Sequence, residues 1–344
     1  MARVLIVDWL GRGGIAQTTD EWARAVRRAG HEPLIVTRKG RPLASTASAE
    51  VLAVGGRNRF IDEVSVTGAA MHALRTLAPS ALVLQNYVVP ELERSVLVAA
   101  RRSGVRSVLV AHEPAVPWRP RLRWMALRSE VREADVVVCH TRHVAGRVEQ
   151  LGPRRSVVIV PLPVVGSLVE LAGTEPSVLP DDPRPTALLF GHLHRRYKGG
   201  DRFVELAAVG VPGWRLAAVG RHAPSGEGLV TVDRFLSDAE LASTVARCAV
   251  TLLPYDRAAQ SAAVSLAQSL GSVVVTTSVG GLTEQVTPET GVLLPPTAAP
   301  AEWRDALLGL TPERLAALSE AARRETERRR ELFDEGVRTT LFGG

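Results

Sequence analysis

Lysine is nearly missing from this chain. Of 42 basic side chains only Lys39 and Lys198 are lysines, and the rest are arginines. Cysteine is as scarce: Cys139 and Cys248 each stand alone inside apolar segments, which argues against a disulfide framework and for two buried thiols. No apolar run reaches the roughly 18 residues of a membrane span. The apolar stretch within Met1–Asp8 is too short for a signal peptide and reads as a first strand, so a cytoplasmic protein is expected. Low-complexity tracts and short-period repeats are also missing, which argues against a disordered chain or a solenoid. What remains is a chain of 344 residues, 46% hydrophobic, long enough for two cores.

The charge is unevenly placed. Residues 1–165 hold 24 Lys and Arg against 14 Asp and Glu, whereas residues 166–344 hold 18 against 22. A basic half beside an acidic half points the first toward something anionic; arginines that merely solvate helices are the competing explanation.

Apolar strand patterns alternate with amphipathic helical ones nearly throughout, the signature of parallel α/β sheets. In the first half the strands fall at Arg3–Asp8, Pro33–Thr37, Ala81–Gln85, Ser107–Ala111, Asp135–Cys139 and Val157–Val160. In the second they fall at Thr186–Phe190, Arg215–Val219, Val230–Phe235, Ala249–Pro254, Ser272–Thr276 and Gly291–Leu294. Proline-rich stretches, Pro161–Gly166 and Glu175–Pro185, read as a linker. The expected organisation is therefore a Rossmann-like domain over 1–165, a second over 166–325, and a helix over 326–344 packing back on the first. Two such domains with parallel sheets would face a central cleft.

Several segments carry chemistry. Thr186–Gly200 places Lys198, a compact and flexible ammonium, at a strand-to-helix turn, where open α/β sheets bind phosphates. Gly11–Thr19 follows the first strand and opens a helix whose amides can meet an anion; a plain tight turn is the alternative. It is not a dinucleotide fingerprint, because Ala16 breaks the glycine pattern and Thr37-Arg38-Lys39 stands where an acidic residue belongs. His112 closes a strand at the carboxyl edge of the sheet, where an imidazole can bond a sugar hydroxyl or meet developing charge. Leu252–Gly271 reads as strand, loop and helix, with Ser261 at the N-cap or first turn. Ser272–Glu284 is another strand ending in a glycine pair, Gly280-Gly281.

The segment Pro117–Arg128 mixes Trp118, Leu122, Trp124, Met125 and Leu127 with Arg119, Arg121, Arg123 and Arg128. It fits a helix lying on an anionic bilayer or an edge recognising a phosphorylated acceptor, and equally an ordinary helix with snorkelling arginines. No nucleic-acid-binding module accompanies the basic face.

Taken in order, these blocks resemble a GT-B glycosyltransferase of the retaining, family-four type. Gly13-Gly14-Ile15 with Glu21–His31 resembles the family's glycine loop and first helix. Val136–Thr141 and Val157–Val164 are similar to its last N-domain strands. Phe190–Leu193 and Tyr197–Gly199 resemble its phosphate loop. Leu253–Tyr255, Gln260-Ser261, Gly271–Val275 and Val279–Glu284 resemble its donor-binding core.

The resemblance implies a nucleotide-sugar donor held by the second domain, with Lys198 neutralising the diphosphate and His112 facing the reacting sugar. It places Gly13, Gly14, Gln260, Ser261, Gly280, Gly281, Leu282 and Glu284 around the donor. The loop arginine usual in the family is replaced by His192, with Arg195 or Arg196 in a longer loop to supply the guanidinium. It implies no cofactor and no metal, because fixed cations and helix termini take that role. The charge asymmetry, not the resemblance, favours an anionic, lipid-linked or membrane-surface acceptor, with peripheral contact at the inner membrane surface as one option and a sugar or natural product as the competing acceptor. Where relatives carry paired donor-site glutamates this chain has Ala258 and Leu266, and it follows instead a Gln-Ser variant, with Ala262 where glycine is common. Loss of those glutamates also opens the alternative of a degenerate GT-B protein that binds without transferring.

Overall fold

The computed structural model describes residues 1–11, 13–39, 50–55, 59–86, 89–112 and 120–343, without the side chains of residues 59, 60, 86 and 120–123. Two compact units result, one of residues 1–163 with 329–344, the other of residues 164–328.

In the first unit the order is β1 (Arg3–Asp8), α1 (Gly13–Arg28), β2 (Glu32–Arg38), β3 (Glu50–Val54), α2 (Arg59–Leu77), β4 (Ala81–Asn86), α3 (Pro90–Arg102), β5 (Arg106–Ala111), α4 (Pro120–Val131), β6 (Val136–Cys139), α5 (Arg142–Gln150) and β7 (Ser156–Ile159). The seven strands form one parallel sheet in the order β3-β2-β1-β4-β5-β6-β7. Their sequences are near-continuous Val, Ile and Leu because helices cover both faces of a parallel sheet. Val4 and Ile6 of β1 point to one face with Val83, Val108, Val110 and Trp22. Connections reverse direction between β1 and β4, so the carboxyl ends of these two strands flank the crevice where doubly wound sheets bind ligands.

The second unit continues with α6 (Gly166–Leu171), β8 (Thr186–Phe190), a 3-10 turn over Arg196–Lys198, α7 (Gly200–Val209), β9 (Arg215–Val219), β10 (Leu229–Val232), α8 (Asp238–Ala246), β11 (Val250–Leu253), α9 (Ala262–Ser269), β12 (Val273–Thr277), α10 (Leu282–Gln285), β13 (Gly291–Leu294), α11 (Pro300–Leu308) and α12 (Pro312–Phe342). Its six parallel strands run β10-β9-β8-β11-β12-β13, with the reversal between β8 and β11. Two Rossmann-like α/β units are therefore present, as the alternating pattern predicts.

The differences from the sequence reading have physical causes. The segment Glu175–Pro185 is part of the second unit, not a linker between units: Arg215 donates to the Pro180 carbonyl and Arg247 pairs with Asp181 at 2.6 Å. Strand β10 ends at Val232, short of Phe235, where Asp233 leaves the ladder to accept from the His222 amide at 2.6 Å. The unit boundaries fall at 163/164 and 328/329, against the expected 165/166 and 325/326. From residue 329 onward α12 belongs to the first unit, where Phe333 meets Trp22 edge to face at 5.6 Å. Arg119 and the side chains of Arg121, Leu122 and Arg123 lie outside the described residues, as does Trp118.

Candidate active site

In the second unit the apolar strand β8 delivers the chain to Gly191, and the loop then folds into the 3-10 turn that carries Lys198. Gly199 follows at φ 70°, and a β-carbon there would lie 2.0 Å from the Pro254 carbonyl oxygen. Only glycine permits both the left-handed backbone and that approach, so the loop is held against the end of β11, at the reversal point of the sheet. The Lys198 ammonium lies 3.3 Å from the position a β-carbon of residue 191 would take, and 5.7 Å from the Tyr255 ring centre. Burial, with the charge of Arg195 beside it, brings its pKa down to about 8. No carboxylate pairs with Lys198 among the described residues. A half-buried cation crowded by a second cation, with no counter-ion among the described residues, has the electrostatics that favour an anion.

Across β11, Ser261 takes the N-cap position of α9 but caps it with no side-chain hydrogen bond. Instead the Ser261 amide donates to Gln285 Oε1 at 2.7 Å, and Gln285 Nε2 donates back to the Ser261 carbonyl at 3.1 Å. Gln268 Nε2 holds the Gln285 carbonyl at 3.1 Å. This clamp fixes the start of α9, whose first-turn amides point out of the helix end and suit a phosphate. Gly281 donates to the Ala258 carbonyl at 3.0 Å, with Gly280 at φ 52°, so the glycine pair joins the same loop. Leu282 is fully buried and Glu284 exposed. Asp256, the single acid of Tyr255–Gly271, pairs with Arg202 at 2.8 Å.

Beside the Lys198 loop three imidazoles form an arc, His192 to His194 at 6.2 Å and His194 to His222 at 5.6 Å between ring centres. Burial lowers the pKa of His194, and the charges of Arg195, His222, Lys198 and Arg221 lower it further. Of the two candidate loop arginines it is Arg195 whose charge bears on Lys198.

In the first unit the crevice is lined from the strand ends. Asp8, the last residue of β1, is fully buried; its Oδ1 accepts from the amides of Leu10 at 2.7 Å and Gly11 at 3.1 Å. Burial raises its carboxyl to about 6, against the pull of those amides and of Thr19. Gly13 and Gly14 open α1 just beyond, with Gly13 at φ 65°. His112 follows β5, and its Nε2 meets Gln85 Oε1 of β4 at 2.6 Å. His140 follows β6, its Nδ1 on the Val160 carbonyl at 2.9 Å and its ring 5.4 Å from that of His112. Burial holds both imidazoles neutral, His140 at about 4 and His112 well below the ordinary histidine value, the latter also through His140.

The candidates thus divide between the units. Gly13, Gly14 and His112 belong to the first; His192, Arg195, Arg196, Lys198, Gln260, Ser261, Gly280, Gly281, Leu282 and Glu284 belong to the second. Sequence reasoning singled out none of Asp8, Gln85, His140, His194 and Gln285, whereas Tyr255 lies in the Leu253–Tyr255 block it did single out. The one usable signal was position, since Asp8, Gln85 and His140 each end or follow an apolar strand. Among the described residues no group of three or more His, Cys, Asp and Glu is arranged to hold a metal ion.

Two family models match this chain: a glycosyl transferase 4-like domain over residues 13–163 and a glycosyl transferases group 1 domain over residues 184–312. The chain belongs to the family-four GT-B glycosyltransferases. Solved structures of that fold superpose over its whole length. HepE from Anabaena, crystallised with UDP-glucose, is 14% identical with a TM-score of 0.74, covering 99% of each chain. Sucrose-phosphate synthase from Thermosynechococcus elongatus is 17% identical with a TM-score of 0.76, covering 98% of this chain and 96% of its own. WaaG, a glycosyltransferase involved in lipopolysaccharide biosynthesis, is 15% identical with a TM-score of 0.68, covering 99% and 100%. No curated protein matches this chain in sequence. Among the described residues no helix is long and apolar enough to cross a membrane.

Proposed function

We propose that this glycosyltransferase moves a sugar from a nucleoside diphosphate, UDP or GDP, to an acceptor bound by its first unit, with retention of configuration. The observation that carries the reading is Lys198, a half-buried ammonium with no counter-ion among the described residues, at the reversal point of the second sheet. Diphosphate oxygens supply the missing negative charge, and the ammonium stabilises the nucleotide as it departs. First-turn amides of α9, held by the Gln285 clamp, take the remaining phosphate oxygens. These groups do for the leaving group what a divalent ion does elsewhere, so transfer proceeds in EDTA. No side chain near His112 is cast as a nucleophile; leaving phosphate and incoming hydroxyl share one face of the ring. HepE, whose structure holds UDP-glucose, supports UDP as the first nucleotide to try.

The acceptor is anionic, lipid-linked or a small molecule. On α4, Trp124 and Met125 are 38% and 62% exposed beside a groove of about 430 Å³ lined also by Arg94, Arg128, Arg132 and Arg154, and by Glu133, which pairs with Arg94 at 3.0 Å. That surface fits an anionic membrane face, and replacing Arg128 and Arg132 with Gln should weaken binding to phosphatidylglycerol vesicles; unchanged binding returns it to ordinary surface.

Calorimetric titration with UDP, GDP, ADP and TDP tests the donor site in the wild type and in Lys198→Ala. One nucleotide bound tightly in a Lys198-dependent way supports the reading, and turnover should then fall roughly 10²-fold or more in Lys198→Ala. A nucleotide bound equally well by Lys198→Ala sinks the assigned role of the ammonium. One observation favours a second reading, binding without transfer: Asp256 is taken up by Arg202, leaving no other acid between Tyr255 and Gly271 for a ribose. Nucleotide binding without hydrolysis or transfer would establish it.

A further inference from the structure

Tyr255 bears on both parts of the second unit that carry the donor reading, the Lys198 loop and the start of α9. It lies just beyond β11, is 2% exposed, and its ring centre is 5.7 Å from the Lys198 ammonium. Tyr197 meets that ring edge to face at 6.3 Å, and Thr277 Oγ1 donates to the Tyr255 carbonyl. Ring and backbone are both held, so the direction of the phenol is fixed.

That phenol is poorly served. Its oxygen is out of reach of solvent and makes no hydrogen bond of full geometry among the described residues. The polar side chain that bears on it is Ser261, at the N-cap of α9. Burial, with Tyr197 beside it, pushes the phenol pKa up, so it meets Ser261 as a neutral donor. A buried hydroxyl with so loose an acceptor costs stability rather than supplying it. Ser261 is held by its backbone: Gln285 grips both its amide and its carbonyl, and its side chain makes no cap hydrogen bond. Only its hydroxyl is left to turn. A serine hydroxyl both accepts and donates, so one that accepts from Tyr255 still has a proton to give.

We propose that Tyr255 is a positioning residue: when a diphosphate binds, Tyr255 Oη–H donates to Ser261 Oγ and so aims the Ser261 hydroxyl proton at a phosphate oxygen. This rests on the donor site given under Proposed function and adds a residue to it. Lys198 supplies charge and the α9 amides supply fixed donors. The Tyr255–Ser261 pair supplies a donor completed only with ligand bound, two hydrogen bonds in series that strengthen each other. All of these groups belong to the second unit.

Tyr255→Phe removes one oxygen and keeps the ring beside Lys198. Calorimetry on the full-length protein, with UDP and with inorganic pyrophosphate, should show both bound about tenfold more weakly. The unliganded variant should melt no lower than wild type, because the phenol gains its acceptor only on binding. A merely structural phenol gives the reverse, a lower melting temperature or a failure to fold, and unchanged affinity. Either of those results overturns the proposal. Ser261→Ala should weaken both ligands by a similar factor, and the double variant should bind no worse than either single one. Losses that multiply in the double variant overturn it independently of melting. A wild type that binds both probes but transfers no sugar defeats the transferase reading alone. Sugar transfer by wild type, with Tyr255→Phe binding UDP as tightly, defeats this proposal alone.

Discussion

Gly199 and Pro254 approach so closely that a β-carbon on residue 199 would stand 2.0 Å from the Pro254 carbonyl oxygen, with the glycine at φ 70°. This contact ties the Lys198 loop to the end of β11. Gly199→Ala must therefore give up the left-handed backbone, at about 1–2 kcal/mol, and also push the loop off the strand. Differential scanning should show a melting temperature lower by about 4 °C or more. Nucleotide affinity should drop with it, because Lys198 is the adjacent residue. A variant unchanged in both would show that the loop is not pinned here.

Lys198 predicts a proton count. With its pKa brought down to about 8, the ammonium is about half deprotonated at pH 8 in the unliganded protein. A bound diphosphate favours the charged form, so binding at pH 8 should take up a fraction of a proton, and affinity should weaken as pH rises through 8. Calorimetry of UDP binding in buffers of different ionisation enthalpy measures that uptake. No uptake at pH 8, with full uptake only near pH 10, would mean that the lysine is solvated.

Asp8 carries the opposite sign. Its carboxyl is raised from 3.8 to about 6, so the folded state holds a proton that the unfolded chain has released. The stability this supplies is fully present below pH 3.8 and is lost as pH rises through 6. Asp8→Asn keeps an oxygen for the Leu10 and Gly11 amides and removes the titration. The stability difference between wild type and Asp8→Asn should therefore shift in favour of the variant between pH 4 and pH 7 in urea melts. A pH-independent difference would contradict the buried, raised carboxyl.

Phe333 and Trp22 predict that the end of α12 is structural to the first unit. Both are almost fully buried and meet edge to face, and Gly336 lies against Val160 nearby. Phe333→Ala should cost about 3–5 kcal/mol, as for other buried aromatics. Denaturant unfolding followed by circular dichroism would read it, and a loss below about 1 kcal/mol would deny that packing.

Much of this architecture is written locally. Residues such as Val4–Val7 and Val273–Val275 are apolar at every position because a parallel strand is buried on both faces, and that run is visible without knowing its neighbours. Strand β3 escaped notice because it is an edge strand, half exposed and bonded to β2 alone. Lys198 was legible through its rarity, its glycine flanks and its place after a strand. Gln85, His140 and Gln285 were not, because an isolated Gln or His inside an apolar run carries no local mark. Each acquires its role from a partner at least 20 residues away in the chain.

Periodicity and glycine spacing were thus enough to specify two alternating α/β units and their strand-to-helix turns, because burial and turn geometry are imposed residue by residue. The Gln85–His112 pairing, the raised Asp8 carboxyl and the Gln285 clamp on α9 belong to the folded molecule alone. Those properties depend on distances between strands remote in sequence and on the loss of water around them, and neither exists until the sheets have formed.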